Sequence, residues 1–279
     1  MQISEAFIFY AENYITIKGL SQRVRETNIR VGEKIADFLD DKEIEELTVE
    51  DVGRWVKHIS VGRSTNTVRN DVGALRSVLR YLGMLGLPCL NYELVPLPKR
   101  RDSLPTFLTE DEVSSMIEVA YNLRNAFVIA LLYSSGIRLS EMIRLNRGDI
   151  VDGRFAIIGK GGKARLCFVD QRTEFLMTEY LESRKDNHQA LIVSYKNKAR
   201  MTPTNVQLLV ANTARRAGVQ KKVTPHTLRH SFATNFLKNN GNLRYLQRLM
   251  GHANLNTTAH YSHVVDVDLE RQYRQYHSC

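Results

Sequence analysis

Several side chains in the second half of the chain could handle a phosphate. In His226-Thr-Leu-Arg229-His230 the imidazole and the guanidinium lie three residues apart and share a helix face. Arg gives a planar fork of donors, and His can give or take a proton near neutral pH. Alone, a His and an Arg at this spacing are usually ordinary surface residues. Leu249-Met-Gly-His252 puts a second histidine just after a helix-ending glycine, and Tyr261 follows nine positions on. A tyrosine becomes a nucleophile only when cations lower the cost of its phenolate and a phosphorus centre is presented to it. Otherwise it packs its ring in a core. In Ser134-Ser-Gly136-Ile-Arg138-Leu-Ser-Glu141 an arginine follows a glycine break and a carboxylate stands three residues on. That carboxylate could hold the arginine rigidly, or the two could form a surface ion pair worth under ~1 kcal/mol. A fourth element is a turn lysine, Lys160 or Lys163, which could equally be a solvated loop charge.

The elements that must place these residues are mostly helical. Gly136 ends an apolar helix over Leu123–Ser135, and Arg138–Leu145 reads as a short helix after it. Thr109 to Glu112 forms a capping box before another. Then the period changes. Arg154–Ile158 and Arg165–Val169 are strand-like and are joined by Gly159-Lys-Gly-Gly-Lys163, a hairpin with a basic, glycine-rich tip. Helices resume near Thr173 and Pro203. Thr224-Pro225 caps a long helix to about Lys238, and Gly241-Asn242 starts one that stops at Gly251. Upstream, Ile3, Ala6, Phe7, Tyr10, Tyr14 and Ile17 recur at helical spacing. Thr48 could cap a helix burying Val52, Trp55, Val56 and Ile59, and Thr65–Leu82 carries a stripe of Val68, Val72, Leu75, Val78 and Leu79. Between the two helical regions, residues 87–105 hold four of the six prolines and the run Lys99-Arg100-Arg101. Proline removes backbone donors and disfavours helix before it, so this is read as an extended basic linker suited to lie along phosphates. The expected division is a helical domain over 1–88, a linker over 89–105 and a second domain over 106–279 with a C-terminal tail.

Composition sets the partner class. The chain has 279 residues, 43% hydrophobic and 25% charged, which excludes long disorder and fibrous architecture. Lys and Arg number 39 against 30 Asp and Glu, a net charge of +9. The surplus points to a polyanion, with nucleic acid ahead of an acidic membrane. Residues 1–88 carry −1, 89–105 carry +1 and 106–279 carry +9, so the last segment should do most of the gripping. In the first domain Arg63, Arg69 and Arg76 offer a basic helix face, or simply a solvated one. No apolar run approaches the ~18 residues of a membrane span. Glu5 and Glu12 without a basic leader argue against a signal peptide. Cys89, Cys167 and Cys279 make an odd, widely spaced set, which argues against disulfides and cysteine-bound zinc and for a reducing cytoplasm. No acidic cluster suggests a two-metal phosphoryl site. Neither metal nor cofactor is expected.

Taken together and in order, these motifs resemble the tyrosine recombinases, the lambda-integrase family, and among them the short Xer-type enzymes and transposon or phage integrases. The family pattern is Gly-x-Arg-x-x-Glu, a hairpin Lys, His-x-x-Arg, Gly-His and Tyr. It falls on Arg138 with Glu141, Lys160, His226, Arg229, His252 and Tyr261. The strings His226–Thr234 and Gly251–Tyr261 carry most of the specificity. The match covers about 106–265 strongly, and 1–88 only in size, helical character and position.

The resemblance implies a mainly α fold with a small β-hairpin: a helical, SAM-like core-binding domain and a mixed α/β catalytic domain closing as a C-shaped clamp on DNA. It implies a site-specific DNA recombinase that cuts and rejoins strands without metal or ATP. Tyr261 would attack the scissile phosphate to give a 3′-phosphotyrosine link. Arg138 and Arg229 would clamp the non-bridging oxygens, Lys160 would protonate the leaving 5′ oxygen and His226 would act as base toward Tyr261. His252 would donate to the phosphate and Glu141 would support the site. Lys99, Arg100, Arg101, Arg63, Arg69, Arg76, Lys163 and Arg165 are the expected further DNA contacts. The implied partner is duplex DNA with an inverted-repeat core site, bound by a dimer and exchanged through a Holliday junction in a homotetramer, with a second recombinase or accessory protein as an additional partner. The tail, with Leu269, Tyr273 and Tyr276, would pack on a neighbouring subunit or fray. A nucleoid-associated cytoplasmic location follows. A DNA-relaxing type IB topoisomerase and a catalytically silent DNA-binding accessory protein remain the alternatives.

Overall fold

In a computed structural model the structure describes residues 1–99, 106–159 and 164–251. Lys160 and Lys163, Arg100 and Arg101, and His252, Tyr261 and the tail lie outside the described residues. The chain divides into two compact units, Met1–Ser103 and Leu104–Cys279. No helix among the described residues is long and apolar enough to cross a membrane.

The first unit is built from α1 (Ile3–Tyr10), α2 (Gln22–Phe38), α3 (Val49–Ile59) and α4 (Thr65–Met84). Their apolar stripes meet around Trp55, Phe7, Ile35, Leu75, Leu79 and Leu82. Thr48 caps α3, its hydroxyl accepting from the Asp51 N–H. Asp51 in turn takes Lys42 and Arg54, and these cations with the Thr48 donors hold its carboxyl well below the usual range despite burial. The stripe of α1 does not run on to Ile17. Residues Ala11–Ile15 form a π-helical turn, which inserts a residue and slips the phase. Ile15 is therefore buried and Ile17 is 83% exposed. The segment after α4 is also less free than its prolines imply. Arg76 donates to the carbonyls of Tyr92 and Val95, Arg69 donates to the carbonyl of Pro98, and Val95 is buried.

The second unit surrounds one central helix. The chain runs α5 (Glu110–Glu118), α6 (Leu123–Ser135), α7 (Leu139–Arg144), β1 (Arg154–Ile158), β2 (Ala164–Phe168), α8 (Gln171–Glu182), α9 (Pro203–Arg216), α10 (Pro225–Lys238) and α11 (Leu243–Met250). Ala126 to Leu132 are all buried, because α6 packs against α5, α8, α9 and α10 on different sides. The strands pair antiparallel, from Arg154 opposite Phe168 to Ile158 opposite Ala164, one residue earlier in β2 than its sequence pattern indicates. Phe155, Ile157 and Cys167 turn toward the core. Leu246 and Met250 of α11 seat on Ala233 and Leu237 of α10.

A candidate phosphate-binding site

The site begins where α6 stops. Gly136 adopts φ 59°, ψ 20°, the left-handed conformation that ends a helix, and a Cβ there would stand 2.3 Å from the ring of Phe232. Both requirements select glycine. Two residues on, Arg138 caps α7. Its backbone N–H donates to Glu141 Oε2 at 2.7 Å and its Nη1 to Oε1 at 3.0 Å. Glu141 is buried, yet it stays ionised: the Arg165 and Arg138 donors outweigh desolvation and bring its pKa from 4.5 to about 2. The Arg138 side chain is 39% exposed. Among the described residues, the rest of its fork has no protein acceptor.

The second arginine comes from α10. Thr224 caps this helix and Pro225 opens it, placing His226 in the first turn and Arg229 one turn further. Arg229 is buried. Its Nη1 donates to the carbonyl of Gly136, and its Nη2 donates to the carbonyl of Met250 at 2.8 Å. One planar guanidinium thus joins the ends of α6 and α11 across 93 and 21 residues of sequence. His226 stands at the surface beside both arginines. Desolvation first, then the charges of Arg229 and Arg138, hold its pKa below 6.5. The shift favours the neutral imidazole, the form able to accept a proton.

Arg138, Glu141, Arg229 and His226 thus come together from α7 and α10. Lys160, His252 and Tyr261 lie outside the described residues, although the elements leading to two of them are in view: β1 runs toward the hairpin tip and α11 ends at Gly251. Four of the expected DNA contacts have protein partners. Arg165 is not a free surface cation. Its side chain is 8% exposed and is bound to Glu141. It shares a face of β2 with the buried Cys167, so strand geometry turns it inward, a signal the sequence carried. Arg76 and Arg69 are engaged with the carbonyls after α4, and Arg63 pairs with Asp71 at 2.8 Å. Each of these four guanidiniums has a partner within its own unit. Lys99 is exposed. What the motifs alone did not reveal is the role of backbone carbonyls, those of Gly136, Leu249 and Met250, as fixed acceptors for the arginines.

Comparison with known proteins gives the geometry a context. The model of the phage integrase family matches residues 106–267. The tyrosine recombinase XerA of Pyrococcus horikoshii is 39% identical over 207 residues, covering 72% of this chain and 70% of that one. A tyrosine recombinase of Thermosipho africanus is 33% identical over 271 residues, covering 92% and 90%. Among solved structures, a lambda integrase dimer bound to a core site superposes with a TM-score of 0.77 over 91% of this chain and 96% of that one, at 16% identity, a likeness of fold. The family match spans the unit in which the arginines, the carboxylate and the histidine converge, and the chain belongs to the phage integrase family of tyrosine recombinases.

Proposed function

We propose that this chain breaks and rejoins DNA at a specific site through a covalent 3′-phosphotyrosine. The observation that carries the reading is the convergence of Arg138, Arg229 and His226, with the Arg138 side chain partly open to solvent. Two fixed guanidiniums are suited to a phosphate whose charge grows as a fifth oxygen approaches. In the step itself Tyr261 Oη bonds to phosphorus and the P–O5′ bond breaks. His226 takes the phenol proton, and Lys160 gives a proton to the leaving 5′ oxygen. His252, one residue beyond Gly251, donates to a non-bridging oxygen. Reversal of the same step on a partner strand completes exchange, so no external energy is consumed.

A dimer on one inverted-repeat site and a homotetramer on two, passing through a Holliday junction, follow from a reaction that exchanges strands between two duplexes. The first unit and the Lys99–Arg101 run add DNA contacts, as does Lys163. A nucleoid-associated cytoplasmic location follows from that substrate. The test is to incubate the full chain with sheared genomic DNA flanking its own gene, stop with detergent and sequence the DNA that stays attached. The expected result is one recurrent site with inverted-repeat arms. Attachment at scattered sequences would point instead to a relaxing enzyme, and no attachment would overturn the reading.

A further inference from the structure

Glu141 serves two cations unequally. Its Oε1 accepts from Arg138 Nη1 and from Arg165 Nη1, each at 3.0 Å. Its Oε2 accepts from Arg165 Nη2 at 2.6 Å and from the Arg138 backbone N–H at 2.7 Å. The Arg165 fork thus spans both carboxylate oxygens, while the Arg138 guanidinium touches one. Exposure follows the same division, at 8% for the Arg165 side chain and 39% for that of Arg138.

The charges of the three groups add to +1. The buried bidentate pair neutralises itself, so the surplus charge resides on Arg138, the member open to solvent. Without Arg165 the same carboxylate, 3.0 Å away, would cancel most of the Arg138 field, and an arriving phosphate would meet an ion pair instead of a cation. Arg165 also reaches a third element. Its Nε donates to the carbonyl of Leu249 at 2.9 Å, and a Cβ on Gly251 would stand 2.8 Å from its Cδ. Gly251, at φ 62°, ends α11 directly against the arginine stem.

We infer that Arg165 is a positioning residue for cleavage. By neutralising Glu141 it leaves the charge of Arg138 available to the scissile phosphate, and by holding the carbonyl of Leu249 it ties that carboxylate to the end of α11. The inference rests on the reading of Arg138 as a phosphate clamp. It differs from a purely structural role in one respect: the penalty for losing Arg165 depends on the charge of Glu141.

The experiment measures single-turnover cleavage by the full chain on a nicked suicide duplex carrying the mapped site. Thermal unfolding and DNA binding are followed in parallel. Arg165→Met should cleave about 100-fold more slowly than wild type, the scale of one lost transition-state donor. Glu141→Gln/Arg165→Met restores a net +1 on Arg138 and should cleave at least ~10-fold faster than Arg165→Met, a reversal of sign expected only of coupled sites. Arg165→Met cleaving at the wild-type rate would overturn the inference, as would a double variant no faster than Arg165→Met. Should Arg165→Met fail to fold, the double variant decides, since it buries no unpaired charge. Cleavage within ~10-fold of Glu141→Gln supports the inference; a folded, DNA-binding double variant ~100-fold below Glu141→Gln overturns it. Absence of covalent complex with wild type would instead sink the recombinase reading itself.

Discussion

Gly136→Ala tests whether the end of α6 is built as tightly as its geometry implies. The substitution acts in two ways. The residue holds φ 59°, where a Cβ costs roughly 1–2 kcal/mol. The new methyl would also lie 2.3 Å from Phe232 Cδ1 and 2.7 Å from Cε1, so the ring must move, at about 1–3 kcal/mol for an overpacked core. The expected loss is therefore about 3 kcal/mol. At roughly 2–4 °C per kcal/mol for a unit of this size, the midpoint should fall by about 6–12 °C. Calorimetry of the full chain measures it. Trp55, the chain's single tryptophan and buried in the first unit, marks that unit's transition by fluorescence, so the transition Trp55 does not report is the one to follow. Because the Gly136 carbonyl accepts from Arg229, cleavage should fall as well. A loss below ~1 kcal/mol would show that the ring and the backbone relax freely and that the site is not held by this turn.

Other perturbations separate the roles assigned above. Arg229→Lys should lose about 3 kcal/mol of transition-state stabilisation in single-turnover cleavage, because an ammonium cannot reproduce a planar fork bound to two carbonyls. Near-normal cleavage would refute the clamp. Glu141 has a folded pKa near 2 against 4.5, so its ionisation contributes about 3 kcal/mol above pH ~4.5, lost as pH falls toward 2. The stability gap between wild type and Glu141→Gln, read by urea unfolding, should therefore close between pH 5 and pH 2. Arg76→Met should lower first-unit stability by about 2 kcal/mol by Trp55 fluorescence, since a charged donor leaves two carbonyls. It should leave the salt dependence of binding to a random-sequence duplex unchanged; a slope reduced by about 0.9 would return Arg76 to the DNA.

Where a local rule governs, the sequence already shows the outcome. Thr48, Thr109 and Thr224 cap α3, α5 and α10, since a hydroxyl followed by a matching third residue satisfies orphan N–H groups wherever it occurs. Gly136 and Gly251 end α6 and α11 for the same reason of local geometry. The convergence of Arg138 with His226 and Arg229 was legible only through the family motif, because its contacts span 93 residues of chain. Three features escaped. The π-turn at Ala11–Ile15 leaves no mark in an apolar stripe and so displaces Ile17. Helix α2 was not singled out within the expected helical domain, although Val31, Ile35 and Ala36 form its buried face against α1 and α4. The destinations of Arg63, Arg69, Arg76 and Arg165 depended on acceptors that composition cannot weigh. Only Arg165 carried a warning, through the strand face it shares with Cys167 in β2.

The central claim is that the nucleophile is Tyr261. The direct measurement traps the covalent complex on a nicked suicide duplex, digests protein and DNA, and identifies by mass spectrometry the residue that retains a phosphate-linked nucleotide. The account predicts the adduct on Tyr261, and no covalent band from Tyr261→Phe although that variant still binds the duplex. An adduct on another residue, Tyr273 being the nearest candidate, or a covalent band surviving in Tyr261→Phe, would contradict it.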